Sequence, residues 1–285
     1  MKVSKHPTYD YITIVEIPKK EIEKIDFALC KQPKETLKSF YDRQTEKPSF
    51  IINGGIFNMS DGKTYFNFRD EGNTISGWHW YDMGMGIVDG ELKYGNVSTE
   101  KWKDFVSAYP PLIADGKALA ITYALENSKN KRRSILAYDK ENIYLIAVEG
   151  DGMTYGEVQA VLLDMKVDYA INLDGGGSTK ILRDGKSITS TSHNRPVDNV
   201  VAIYLKQTIY RVQVGAFSKQ LNAISLRTKI RALPDAIGAG YKNAYVRKIG
   251  NYYKVQVGAF SNKLNAIRVL NDLKNMGVDA FITTE

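Results

Sequence analysis

The sequence predicts an α+β protein in two parts: a larger mixed-sheet domain over residues 1–206 and a small ferredoxin-like (βαββαβ) domain over residues 207–285. Three observations carry that reading. Short apolar runs bounded by Gly, Asn and Asp recur from residue 11 to 205, while the clearest helical period lies at 154–166. The tail contains a repeat: 15 residues from Tyr210 recur 43 positions later from Tyr253 with 12 identical. The charge is also divided, because residues 206–285 hold 13 Lys/Arg against 4 Asp/Glu while the rest is slightly acidic. A basic tail on a near-neutral body marks a boundary and suggests a polyanionic or surface-bound partner.

Composition narrows the class. With 43% hydrophobic and 25% charged residues the chain reads as globular, and 285 residues suffice for one large and one small domain. A single cysteine, Cys30, excludes a disulfide framework within the chain and a Cys-rich zinc site. His6, His79 and His193 show no metal-ligand spacing. No membrane span is read, and the first 20 residues lack the apolar core of a signal peptide, so synthesis in the cytoplasm without a leader is expected.

Along the chain, residues 11–17 and 25–29 read as strands, and 31–47 as a short helix or loop around Leu37, Phe40 and Tyr41. Phe50–Asn53 is an apolar strand running into Gly54-Gly55, with Asn58 beyond. Residues 59–82 are rich in turn formers and aromatics, including Trp78-His79-Trp80-Tyr81, whose rings suit either sugar stacking or a core. Residues 84–96 form a hairpin about Asp89-Gly90, and Pro110-Pro111 lies in an extended segment. Lys131-Arg132-Arg133 enters a strand ending at Tyr138, and Ile143–Val148 forms another, ending at Glu149-Gly150-Asp151-Gly152. Thr154 with Glu157 makes a capping-box pattern, and Val158, Val161, Leu162 and Met165 share one helical face. That helix leads back to the strand at 169–173, so Glu149 and Asp174 are expected to end neighbouring strands. A hairpin about Asp184-Gly185, a polar loop at 187–199 with His193 and Arg195, and a closing strand at 199–205 complete the first part.

The chemistry converges on Asp174-Gly175-Gly176-Gly177-Ser178. Three glycines offer bare backbone N–H groups able to surround an anion, beside a carboxylate held at a strand end. The plain alternative is a tight turn with an exposed hydroxyl. Asn53 and Asn58 are amides suited to sugar hydroxyls or phosphate oxygens, and Arg133, entering a strand, can meet phosphate bidentately. The spacing of a Walker A loop is absent.

Four segments of the first part match known motifs. Asn53-Gly-Gly-Ile-Phe-Asn58, Arg133-Ser134, Asn172-Leu-Asp-Gly-Gly-Gly-Ser178 and Arg195-Pro-Val-Asp-Asn199 occur in the order found in phosphodiester glycosidases, and residues 10–205 resemble that family. One departure is plain: where family members commonly carry Val-Asp-Gly-Arg before a longer loop, this chain has Val148-Glu149-Gly150-Asp151 and a short one. The repeated Val-Gln-Val-Gly-Ala-Phe strands of the tail resemble SPOR domains, over about residues 208–285. That resemblance implies binding of peptidoglycan glycan strands, with Gln213, Phe217, Gln256 and Phe260 on or near the binding face. RNA binding is disfavoured because neither RNP motif is present, so no nucleic-acid partner is expected.

The resemblance implies a substrate in which a sugar is joined through its anomeric carbon to a phosphodiester. On that basis Asp174 is the candidate nucleophile or general base, Glu149 its partner carboxylate and His193 an available acid. Arg133, Arg195 and the N–H groups of Gly175, Gly176, Gly177 and Ser178 are the candidate phosphate clamp, while Asn53, Gly54, Gly55, Asn58 and Asn199 orient the substrate. No cofactor is required, and a divalent cation at the glycine loop is an open option. Joined to a peptidoglycan-binding tail, the enzyme is expected to act at the bacterial cell wall on a sugar-phosphate glycopolymer, released in the manner of phage lytic enzymes. The alternative is a non-catalytic binder of wall carbohydrate.

Overall fold

A computed structural model describes residues 1–285 apart from 78–80, 122–130, 191–193, 235–237, 239 and 285. It divides into two compact units, Met1–Lys206 and Gln207–Glu285. The class is α+β. Within it every strand pair among the described residues is antiparallel, where the sequence suggests a mixed sheet.

The first unit begins with β1 (Lys2–Lys5), β2 (Ile12–Pro18), β3 (Ile22–Leu29) and α1 (Leu37–Arg43). Next come β4 (Phe50–Asn53), β5 (Phe68–Asp70), β6 (Asn73–Ser76), β7 (Met83–Val88), β8 (Glu91–Asn96) and β9 (Asp104–Ser107). It continues through β10 (Pro111–Ala114), β11 (Lys117–Ala118), β12 (Lys131–Tyr138), β13 (Asn142–Met153) and α2 (Tyr155–Asp164). It closes with β14 (Tyr169–Asn172), β15 (Ile181–Arg183), β16 (Lys186–Ser187) and β17 (Asn199–Leu205).

These strands form three sheets, ordered β1-β2-β13-β12-β14-β10-β11, β16-β15-β4-β17-β3 and β6-β5-β9-β7-β8. Their facing sides meet in one core containing Val15, Phe27, Ile52, Phe68, Met85, Leu136, Leu145, Ile171 and Ile203. The outer face of the seven-stranded sheet is covered by α2, whose Val158, Val161 and Leu162 pack among Ile12, Ile135 and Ile146. Each such buried aliphatic side chain contributes about 1.5–3 kcal/mol. Thr154 and Glu157 make the capping box that starts α2. Helix α1 covers the next sheet with Leu37 and Phe40 against Ile51, Leu182 and Val200.

Strand order corrects one expectation. Both β13 and β14 pair with β12, one on each side. Helix α2 therefore carries the chain over β12 rather than to an adjacent strand, and Glu149 and Asp174 do not end neighbouring strands. Residues 149–152 are looped out of the β12–β13 pairing, since Arg133 faces Val148 but Lys131 already faces Met153. Gly150 and Gly152 allow that bulge through positive φ, and a Cβ on Gly152 would lie 2.0 Å from the Lys131 carbonyl carbon. This bulge occupies the place of the shortened loop.

The second unit comprises β18 (Tyr210–Phe217), α3 (Gln220–Arg231), β19 (Tyr245–Ile249), β20 (Tyr252–Phe260), α4 (Lys263–Asn275) and β21 (Phe281–Thr284). Sheet order β19-β20-β18-β21 with two helices is the ferredoxin-like layout. Val212, Val255 and Val257 pack against Ala223, Ile230, Ala266, Val269 and Leu273. Among the described residues no helix is long and apolar enough to cross a membrane.

Candidate active site

The two glycine turns read from the sequence meet in space. Strand β14 delivers Asp174, whose N–H donates to the Gly54 carbonyl at 2.9 Å and whose carbonyl accepts from Asn53 Nδ2 at 2.6 Å. The Oδ1 of Asn53 accepts from Ser134 Oγ at 2.7 Å and from the Lys180 N–H at 3.2 Å. Gly54 donates to the Asn199 carbonyl, and Gly55 to Asn199 Oδ1 at 2.6 Å. A Cβ on Gly54 would lie 2.0 Å from that Oδ1, so the approach requires glycine. Asn53 and Asn199 are thus buried and spend their amides on the turn that holds Asp174.

The Asp174 carboxylate is partly buried, with Oδ1 accepting from the Gly175 N–H at 2.9 Å. Burial pushes its carboxyl above the ordinary value; the Ser178 hydroxyl beside it, the Gly175 amide and the Arg195 guanidinium oppose that rise without cancelling it. The Ser178 Oγ lies close without completing a well-formed hydrogen bond. A Cβ on Gly177 would be 2.6 Å from the Arg195 guanidinium, which rests flat against the loop.

Two clefts flank the loop. One, of 200 Å³, is lined by Asp174, Gly175, Gly176, Asn172, Tyr109, Tyr155 and Arg133. Within it the Arg133 guanidinium stacks 3.6 Å above the Tyr155 ring, with Nε donating to the Met153 carbonyl. Asn172 Nδ2 donates to the Tyr109 carbonyl at 2.6 Å, and its buried Oδ1 accepts no hydrogen bond from the described residues. The other cleft, of 360 Å³, is lined by Lys131, Arg132, Arg195, Asp151 and the glycines of the loop and bulge. The loop therefore borders both a small cleft with two tyrosines and a wider one with Arg195, and Lys131, Arg132 and Gly176 line the two in common.

Other expected site residues lie elsewhere. Glu149 faces the inter-sheet side of β13, opposite to Val148, and lines neither cleft. Its buried carboxylate accepts from the Ser190 N–H and Oγ, Thr13 Oγ1 and Lys5 Nζ. Burial alone would raise it, but these four donors prevail and hold it below the ordinary value of 4.5. Glu149 is a clamp joining β1, β2 and the 187–199 loop to β13. Glu149→Gln is expected to cost about 2 kcal/mol at pH 7, allowing for the exposed lysine. A depressed carboxyl contributes stability above its unfolded value and loses it as pH falls through the folded one. The Tm difference between wild type and variant should therefore close at acid pH, as calorimetry from pH 7 to 3 would show.

Asn58 is occupied in its own turn, with Oδ1 accepting from Ser60 N and Oγ. His193 and the Trp78–Trp80 segment lie outside the described residues. Among the described residues, the carboxylates at metal-ligand spacing from one another do not include Asp174. Tyr109, Tyr155, Lys131 and Arg132 are lining residues that the sequence reading did not assign. The tyrosines gave no signal of their own, whereas the basic pair was visible as Lys131-Arg132-Arg133 without a place.

In the second unit Gln213 and Gln256 face each other across the central strands, away from the helix-side valines. Both are almost fully buried, and neither Oε1 has a partner among the described residues. Arg211 reaches diagonally across β20 to the Tyr245 hydroxyl. Phe217 and Phe260 go the other way, their rings folding over Gly215 and Gly258 against the helix-side core. Two β-bulges, one in β18 between Gln213 and Gly215 and one in β20 between Val257 and Phe260, shift the alternation that would have placed them on the open face.

Comparison with known proteins decides the family. The family model described as phosphodiester glycosidase matches residues 38–204, more than half of the chain. The chain belongs to the phosphodiester glycosidase family. Residues 206–284 match the SPOR domain, a peptidoglycan-binding module, so this phosphodiester glycosidase carries a SPOR domain at its C-terminal side. No curated protein matches the chain. Among solved structures, the catalytic domain of zebrafish N-acetylglucosamine-1-phosphodiester alpha-N-acetylglucosaminidase, auto-inhibited by its pro-peptide, is similar over 72% of this chain and 87% of its own, with TM-score 0.58 and 18% identity. A hypothetical protein from Synechocystis is similar with TM-score 0.60 and 15% identity, covering 68% of this chain and 59% of its own. Both likenesses are of fold. The peptidoglycan-binding domain of the Bacillus subtilis cell wall lytic enzyme CwlC shares 36% identity over 28% of this chain and 92% of its own, with TM-score 0.24.

Proposed function

We propose that this phosphodiester glycosidase hydrolyses the bond between an anomeric carbon and a phosphodiester, and that its SPOR domain holds it on peptidoglycan, so that its substrate is a sugar-phosphate glycopolymer of the bacterial wall. The observation that carries this reading is that Asp174 lines the smaller cleft while the loop it opens, through Gly176 and Gly177, borders the wider one. A sugar ring fits the smaller cleft over Tyr109 and Tyr155. The phosphodiester then meets Arg195, Lys131 and Arg132, which neutralise its charge as the bond to carbon breaks. Asp174 attacks the anomeric carbon or activates water there. A phosphate leaving group takes little protonation, so the scheme needs no strong acid. Arg133, fixed on Tyr155, lies at the sugar side.

The test is release of phosphomonoester from a synthetic N-acetylglucosamine-1-phosphodiester and from purified wall glycopolymers, together with retention on sacculi. Turnover with retention supports both halves. Retention without turnover on any substrate would leave a non-catalytic wall binder, and turnover without retention would remove the wall from the proposal. Gly177→Ala should leave Tm unchanged, because the added methyl meets only the exposed end of Arg195. Displacing that guanidinium should raise KM about tenfold, a loss of one charge-assisted contact. Steady-state kinetics beside a melting curve separates the two effects.

A further inference from the structure

Away from the glycine loop, three carboxylates converge from three segments. Asp26 lies on β3, the edge of its sheet; Glu71 lies in the turn after β5; Asp104 opens β9 of the neighbouring sheet. One oxygen from each lies within 4.8 Å of the others. Lys24 Nζ reaches Asp26 at 3.0 Å and Lys103 Nζ reaches Glu71 at 3.0 Å. Asp104, fully buried, has neither: its Oδ1 accepts the Glu71 N–H at 2.9 Å, and its Oδ2 has no partner among the described residues. The carboxylate furthest from water is the one left without a cation, an arrangement that burial makes costly.

We propose that Asp26, Glu71 and Asp104 bind one Ca²⁺ ion that ties the edge strand β3 to the β5–β9 sheet. An all-oxygen donor set selects a hard cation. Ca²⁺ takes ligands at about 2.3–2.6 Å, so opposite ligands stand about 5 Å apart, in keeping with this spacing, whereas Mg²⁺ at about 2.1 Å requires a tighter octahedron. The ion supplies the buried Asp104 oxygen with its missing partner, and the two lysines stay on the solvent side. This site is independent of the phosphodiester chemistry.

The experiment is equilibrium dialysis of the full chain against radioactive Ca²⁺, with thermal unfolding in CaCl₂, MgCl₂ and EDTA. One Ca²⁺ per chain at about 1 mM is expected, with a rise in Tm of about 5 °C over EDTA. Asp104→Asn should abolish binding and the Tm response, and the exposed Glu71→Gln, which carries no folding risk, should weaken affinity about tenfold. No Ca²⁺ bound by wild type, equal binding by both variants, or equal occupancy by Mg²⁺ would overturn the proposal.

Discussion

Asp174→Asn should lower kcat at least about 10³-fold while leaving substrate affinity within a few-fold of wild type. The amide keeps an oxygen for the Gly175 N–H and the same volume in the lining of the smaller cleft. What it loses is the ability to attack or to accept a proton. Stability moves in the opposite direction from activity. Burial raises the Asp174 carboxyl, so that group stabilises the fold only when protonated, and the contribution is lost as pH rises through the raised value. At pH 7 the ionised carboxylate is a cost, which Asn removes. The variant should therefore melt at or above the wild-type temperature. The acid limb of kcat/KM in the wild type should also lie above the ordinary value of 3.8. A variant that loses activity because it unfolds, or a profile with its limb below that value, would contradict the assignment.

Asn53→Ala is expected to be the most damaging single change to stability in the first unit. It strips three groups of partners at once: the Asp174 carbonyl, the Ser134 hydroxyl and the Lys180 N–H. Asn53 and Ser134 are fully buried, so water does not replace the lost amide freely. At about 1–3 kcal/mol for each buried group left unpaired, the total is about 3–6 kcal/mol. Tm should fall by roughly 10 °C or more. Activity should fall even below the melting transition, because the Asp174 turn loses one of its two main-chain anchors. Asn53→Asp tests the geometry: it keeps the acceptor for Ser134 and Lys180 but loses the donor to Asp174, and should fall between wild type and Ala in both measurements.

The glycine loop was legible because its meaning is local: a carboxylate at the end of an apolar run, followed by residues that only a turn tolerates. The capping box of α2 and the repeat of the SPOR domain were legible for the same reason. What Asn53 and Asn199 do was not, since their partners lie 121 and 144 positions away and a short sequence window shows an amide without its direction. The placing of Glu149 failed on strand order, because the insertion of β12 between β13 and β14 is a property of the whole sheet. The strands β5, β6 and β9 escaped notice because runs of three or four residues among turn formers lack a readable period. The two phenylalanines were misplaced by one inserted residue in each of β18 and β20, which no alternation pattern reveals.

The tail repeat has a geometric consequence. Its two copies supply the central strands β18 and β20, which run antiparallel with Gln213 opposite Gln256. Tyr210 stands opposite Phe260, and their counterparts Phe217 and Tyr253 stand opposite each other at the far end. A half-turn about the midpoint between the glutamines exchanges each residue for its twin. The centre of these two strands therefore has a local dyad, and along it a linear chain laid head-first or tail-first meets the same side chains in the same order, save that Arg211 has Lys254 as its twin.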